Sequence, residues 1–337
     1  MKLFVISTPA QAFFLSKSKN LIDENSVLLI TLTRRSLLKN MLAYLEKFPW
    51  KEIIVNDLVG FEKRKGYYKV FLFQTKMRFW LKRKFKQIDR LYIGSYDNQF
   101  HLGLAGLLEN KAEIYLLYDG LQMTRVCEDR KASVPKSIKG FSKLFRWANF
   151  KVPKLRTITF ISPFHLNVPA FDKLIKIEFS HLPKPRLIEN MVYFAGQPFI
   201  DEGTLSEGSY LSKLHYVQSF FGDKKIVYVP HPKESAHSVG LVREHFEIVR
   251  FDNILEEVFL NSKEFPKTVA SFNSSILINL TYLSEEVELF AVEIHAKELT
   301  RPAYIKSFPM AYAYFRSMAP DRLKVLDPSR KSFQLFN

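Results

Sequence analysis

Cysteine is all but missing from this chain. The one thiol, Cys127, excludes an intrachain disulfide and any multi-cysteine metal site, which fits a reducing compartment. Glycine is scarce, at 12 of 337 residues, and no Gly/Ser-rich or Pro-rich tract marks a flexible linker. No apolar run approaches the roughly 18 residues of a membrane span, and Leu3–Ile6 is too short for the core of a signal peptide. These absences predict a cytoplasmic protein. Acidic residues are the minority charge: 34 Asp and Glu against 50 Lys and Arg leave a net +16. Such an excess attracts nucleotides, acidic glycans, nucleic acid or phospholipid headgroups. Walker A, Gly-x-Gly-x-x-Gly, His-Glu-x-x-His and Asp-x-Asp strings are all missing. With them go the evident carriers of a P-loop, a dinucleotide site, a zinc helix and a metal-clamped diphosphate.

What is present is a regular alternation. Leu3–Ile6, Val27–Leu32, Ile53–Val55, Leu91–Ile93 and Ile114–Leu117 are short runs rich in Val, Ile and Leu. Runs of this kind read as strands of a parallel sheet buried on both faces. Ser36–Lys47 and Phe100–Leu108 have the apolar spacing of helices. A second series, Met191–Phe194, Lys225–Val229, Phe246–Val249, Thr268–Ala270 and Leu289–Ile294, predicts a second α/β domain. A chain of 337 residues has the length for two cores. The expected division is an N-terminal Rossmann-like, acceptor-side domain over 1–160 and a C-terminal Rossmann-like, nucleotide-binding domain over 161–337. A basic insertion is expected at about 121–156, and the last helix is expected to pack back on the N-terminal domain.

Three strings at the ends of predicted strands carry chemistry. Asp119, in Tyr118-Asp119-Gly120, follows Ile114–Leu117, where ligands of open α/β sheets bind. A carboxylate there suits a general base on a sugar hydroxyl; it equally suits a turn Asp that caps its own backbone. His231 stands between Pro230 and Pro232 with Lys233 following, so its backbone is preset for a phosphate ligand or simply for a rigid turn. Ser274 and Ser275 lie between the Thr268–Ala270 run and an apolar run, a setting that presents hydroxyls and N–H groups to an anion or caps a helix.

Taken in order, the acidic-Gly, His-Pro and Ser-Ser strings resemble the bacterial GT-B sialyltransferases, the lipooligosaccharide and capsule transferases that use CMP-activated nonulosonic acids. Ser7-Thr8-Pro9-Ala10-Gln11 is similar to the Thr-Pro-x-Gln turn of the lipooligosaccharide branch, and Gly196-Gln197-Pro198 lies where that group opens its nucleotide-binding domain. The resemblance implies a GT-B fold, α/β with two Rossmann-like domains facing each other across a cleft. It also implies an inverting transfer of sialic acid or a relative such as pseudaminic acid, with no metal and no cofactor. Asp119 would be the base and His231 would assist departure of CMP. Ser274 and Ser275 would hold the phosphate, and Gly196, Gln197, Pro232, Lys233 and Glu257 (with Glu256 close behind) would hold the nucleotide. Thr8, Gln11, Ser95 and Asn98 would meet the donor sugar or the acceptor. Tyr118 stands where the family often has a second acid, which leaves Asp119 as the one base.

The segment 67–90 packs Lys69, Lys76, Arg78, Lys82, Arg83, Lys84 and Lys86 among Phe71, Phe73, Met77, Phe79, Trp80 and Phe85. It suits peripheral contact with the cytoplasmic face of a membrane carrying a lipid-linked glycan acceptor, or a core-packed helix with a solvated basic face. Two other functions stay open: a GT-B transferase of a UDP- or GDP-sugar, and a non-catalytic basic protein binding nucleic acid or an anionic surface. No recognisable nucleic-acid module accompanies the charge, so nucleic acid is not expected as a partner.

Overall fold

The structure is a computed structural model that describes residues 1–32, 34–57, 79, 87–132, 155–177, 182–318 and 321–329. The chain divides into two units, Met1–Glu178 and Phe179–Asn337, each built on its own sheet.

In the first unit β1 (Lys2–Ile6), β2 (Ser26–Leu32), β3 (Glu52–Asp57), β4 (Arg90–Ile93), β5 (Glu113–Leu116), β6 (Thr159–Ser162) and β7 (Lys173–Lys176) form one sheet in the order β3-β2-β1-β4-β5-β6-β7. Every pairing is parallel. All seven residues of β2 are buried, which is why its sequence, SVLLITL, shows no polar alternation. Pairing Val5 with Ile93 and Ile93 with Leu116 brings the ends of β1, β4 and β5 level.

In the second unit β8 (Arg186–Ala195), β9 (Lys225–Val229), β10 (Glu247–Ile248), β11 (Glu264–Ser271), β12 (Glu288–Val292) and β13 (Leu323–Leu326) form a parallel sheet ordered β10-β9-β8-β11-β12-β13. Both sheets therefore run outward from their first strand in two directions. Each has a topological switch point, between β1 and β4 and between β8 and β11, and beyond the carboxyl ends at such a point open α/β sheets bind ligands.

The boundary lies past the expected residue 160, because β6 and β7 extend the first sheet. The expected basic insertion at 121–156 is corrected at its start. Gln122–Lys131 is a helix of the first unit, and Arg130 within it is buried. Its guanidinium grips Asp172 at 2.5 and 2.6 Å and meets the Leu155 carbonyl at 3.2 Å. Residues 133–154 lie outside the described residues, as does most of 67–90. The helix Pro302–Met318 packs on β13 of its own unit.

Candidate functional site

At the switch point of the first sheet, Thr8 caps the helix Pro9–Lys17 by accepting from Gln11 N at 3.2 Å, with Pro9 supplying the fixed φ of the first turn. The cap turns Gln11 back over the sheet, where it is 1% exposed. Its Nε2 donates to the Gly94 carbonyl at 2.8 Å and to Asp119 Oδ1 at 2.9 Å; its Oε1 accepts from Ser7 N at 2.8 Å. The reversed amide would set two donors against each other at Ser7, so the orientation is determined by the network. The approach needs Gly94, since a Cβ there would stand 2.7 Å from Gln11 Cδ.

Asp119 follows β5 on the turn closed by Gly120, whose φ of 65° falls in the left-handed region. The residue keeps partial access to solvent while protein atoms surround its carboxyl group. That burial pushes its pKa up from 3.8 to about 7, against the opposing pull of hydrogen bonds from Gln11 and Ser95. Ser95 is itself positioned through its backbone, whose N–H donates to His101 Nδ1 at 3.1 Å. The His101 ring is fully buried, and burial lowers its pKa to about 3. It is therefore neutral, with its proton on Nε2 facing Thr31 Oγ1 at 3.2 Å. Asn98 caps the helix Gln99–Leu108 through Phe100 N at 2.9 Å. Of the residues expected at the donor sugar or acceptor, then, Gln11 and Ser95 bond to Asp119, while Thr8 and Asn98 spend their side-chain oxygens on helix caps.

In the second unit, candidate residues follow three adjacent strands. Gly196 and Gln197 leave β8, His231, Pro232 and Lys233 leave β9, and Ser274 and Ser275 follow β11. Ser271 Oγ closes the switch point by donating to the Ala195 carbonyl at 2.6 Å. Ser274 caps the helix Ser275–Leu283, accepting from Ile276 N at 3.4 Å, so the positive end of that helix opens at the carboxyl edge. His231 Nδ1 accepts from Lys233 N at 3.1 Å, which puts the proton of the neutral ring on Nε2. Glu256 is buried against Asn279 Nδ2 and ties its short helix to Ser275–Leu283, whereas Glu257 keeps partial solvent access.

Several residues that sequence reasoning did not single out complete these sites: Gly94 and His101 in the first unit, and Tyr210, Tyr228 and Glu234 in the second. Glu234 lies three residues beyond His231, and its carboxylate accepts from His231 N at 2.6 Å and from Tyr228 Oη at 2.7 Å. Elsewhere in the second unit a groove of about 600 Å³ is lined by Ser209, Lys213, His215 and His295 among others. Within it Lys213 pairs with Glu298, and His295 Nε2 lies against Asp327 Oδ1, each at 2.9 Å. Among the described residues no three His, Cys, Asp or Glu side chains gather to hold a metal ion, and no helix is long and apolar enough to cross a membrane.

No protein-family model matches the sequence, and no curated protein does either. Solved structures do match the fold. LpCGTa in complex with UDP is similar over 98% of this chain and 86% of its own, at 8% identity and a TM-score of 0.52. The MnaA–UDP structure from S. aureus is similar over 91% of this chain and 82% of its own, at 11% identity and a TM-score of 0.51. At these identities the likeness shows the fold: α/β, with the two Rossmann-like domains of the GT-B class.

Proposed function

We propose that the protein transfers a sugar from a nucleotide-activated donor to a glycan hydroxyl, with inversion at the anomeric carbon. The observation that carries this reading is the setting of Asp119. A carboxyl group with a pKa near 7, held by Gln11 and Ser95 at the carboxyl edge of β5, suits a base working at neutral pH. In this mechanism Asp119 takes the proton of the acceptor hydroxyl as its oxygen attacks the anomeric carbon. The bond to the nucleotide phosphate breaks with its electron pair going to the phosphate oxygen. The Nε2–H of His231, the hydroxyls of Ser274 and Ser275 and the N–H groups opening Ser275–Leu283 then stabilise the departing anion, a role for fixed donors and helix dipoles. Gly196, Gln197, Pro232, Lys233 and Glu257 are assigned to the nucleotide.

Two donors have specific support. Both like-folded proteins above were solved with UDP, which favours a UDP-sugar. The ordered acidic-Gly, His-Pro and Ser-Ser strings favour a CMP-nonulosonic acid, with a lipid-linked or capsular glycan as acceptor at the cytoplasmic face of a membrane. Thermal unfolding with CMP, UDP, GDP or AMP, each with and without EDTA, separates them. A ligand at about 100 times its dissociation constant adds about 2.7 kcal/mol to the folded state. Stabilisation by UDP selects the first donor and stabilisation by CMP the second; indifference to all four nucleotides removes the transferase reading.

A further inference from the structure

Beneath the two nucleotide loops of the second unit lies a hydrogen-bond chain. Gln197 N donates to Tyr210 Oη at 3.1 Å, Tyr210 Oη lies 2.7 Å from Tyr228 Oη, Tyr228 Oη donates to Glu234 Oε2 at 2.7 Å, and His231 N donates to Glu234 Oε1 at 2.6 Å. When Glu234 is ionised it only accepts, so Tyr228 gives its proton to Glu234 and Tyr210 gives its own to Tyr228. Every donor in the chain then points toward Glu234. All three side chains are buried: Tyr210 at 1%, Tyr228 at 0% and Glu234 at 8% exposure. The packing above them is equally close, since a Cβ on Gly196 would stand 2.5 Å from Glu234 Oε1. One end of the chain is the turn after β8, and the other is the His231 turn after β9.

We propose that Glu234 is a positioning residue that, through Tyr228 and Tyr210, locks the His231 turn to the Gly196-Gln197 turn and so holds the donor-binding loops in one geometry. The use of that lock rests on the nucleotide-sugar reading above; the lock itself does not. Both loops leave adjacent strands whose spacing the sheet sets, but a loop beyond its last ladder bond has no such constraint. A buried carboxylate bonded to one loop directly and to the other through two phenols supplies it. The geometry also foretells which substitution is tolerated. In Glu234→Gln the amide oxygen still accepts from His231 N, and its NH2 donates to Tyr228. The hydroxyls then reverse, and Tyr210 donates to the Gln197 carbonyl, which lies 3.2 Å away. No bond in the chain is lost. In Tyr228→Phe the chain is cut at its middle, with each turn's own residues untouched.

The test compares wild type, Tyr228→Phe, Glu234→Ala and Glu234→Gln in the full chain, by amide hydrogen exchange without ligand and by calorimetric titration with CMP and with UDP. In Tyr228→Phe and Glu234→Ala, exchange at Gln197, His231 and Lys233 should rise together while that of the β8 and β11 core stays at its wild-type level. Affinity for whichever nucleotide the wild type binds should fall about tenfold or more, the scale of one buried hydrogen bond lost. Glu234→Gln should keep both near wild type. Loosening of one turn without the other, or a Glu234→Gln variant as impaired as Glu234→Ala, would overturn the lock. Coupled loosening with unchanged nucleotide affinity would overturn its role in donor binding. If the wild type binds neither nucleotide, the functional reading fails, and the exchange data still decide for or against the lock.

Discussion

Asp119 shows how one residue can be set against the stability of its own fold. Burial raises its pKa from 3.8 to about 7, so the folded chain holds this proton more tightly than the unfolded one. The stabilising contribution of the protonated form is complete below about pH 4 and is lost as pH climbs toward 7. Above pH 7 the fold carries a charge it would be more stable without, at a cost of at most about 4 kcal/mol. Asp119→Asn should therefore melt higher than wild type at pH 8, with the gap closing below about pH 4. The same variant should abolish transfer while leaving nucleotide affinity near wild type; melting curves across pH and an activity assay check both. Since only the ionised carboxylate can act as base, wild-type kcat/KM should rise with pH to a plateau above about 7. A flat profile from pH 5 to 8 would contradict the assignment. His231→Ala should slow transfer about 10²-fold or more, the scale of losing one donor to a developing anion. At Gly94, alanine would push Gln11 off Asp119, and an active Gly94→Ala enzyme would show that Gln11 does not set the base.

At the scale of elements, β6 and β7 join the first sheet by backbone pairing, and one buried ion pair ties them to the helix Gln122–Lys131. Arg130 on the helix Gln122–Lys131 and Asp172 just before β7 have side chains 6% and 0% exposed. Asp172 also accepts from Ile158 N just before β6 at 2.8 Å. Removing one partner strands the other charge in the interior, so Asp172→Ala should cost about 3–5 kcal/mol, measured by urea unfolding. Replacing both, as in Arg130→Met with Asp172→Leu, should recover most of that loss. This pair is where sequence reading of the elements fell short. Arg130 sits in a run of basic residues that reads as an insertion, and its partner lies 42 positions away. β6 (TFIS), β7 (KLIK) and β13 (LKVL) are no shorter than β4 and β5, but hydroxyls or lysines break up their apolar residues, so no apolar run marks them. The longer buried runs, β2 above all, were legible because a strand covered on both faces is apolar throughout.

For the molecule as a whole, two sheets of the same winding order give two switch points, and the candidate chemistry divides between them. The first unit supplies a buried carboxyl group held by Gln11, and the second supplies a histidine turn, two serine hydroxyls and a helix N-terminus. Nucleotide stabilisation should depend on the second set alone. A Ser274→Ala/Ser275→Ala variant should lose most of the thermal shift produced by the nucleotide that stabilises wild type, and Asp119→Asn should keep it; equal shifts in wild type and the double variant would remove the serines from phosphate binding.

The sequence by itself determined the two-sheet architecture and the strings Asp119, His231 and Ser274-Ser275, because strand runs and the residues just beyond them are local in the chain. It could not determine what stands behind those strings. Gln11 meets Asp119 across 108 positions, and Tyr210 and Tyr228 meet Glu234 from two different elements. The glutamine of the Thr-Pro-x-Gln turn reads as a contact for the donor sugar or the acceptor, not as the partner of Asp119, and nothing local in the chain marks Tyr210 and Tyr228 as a pair. Only strand register brings their polar ends to one place, and only burial there turns an ordinary carboxyl group into one that titrates near neutrality.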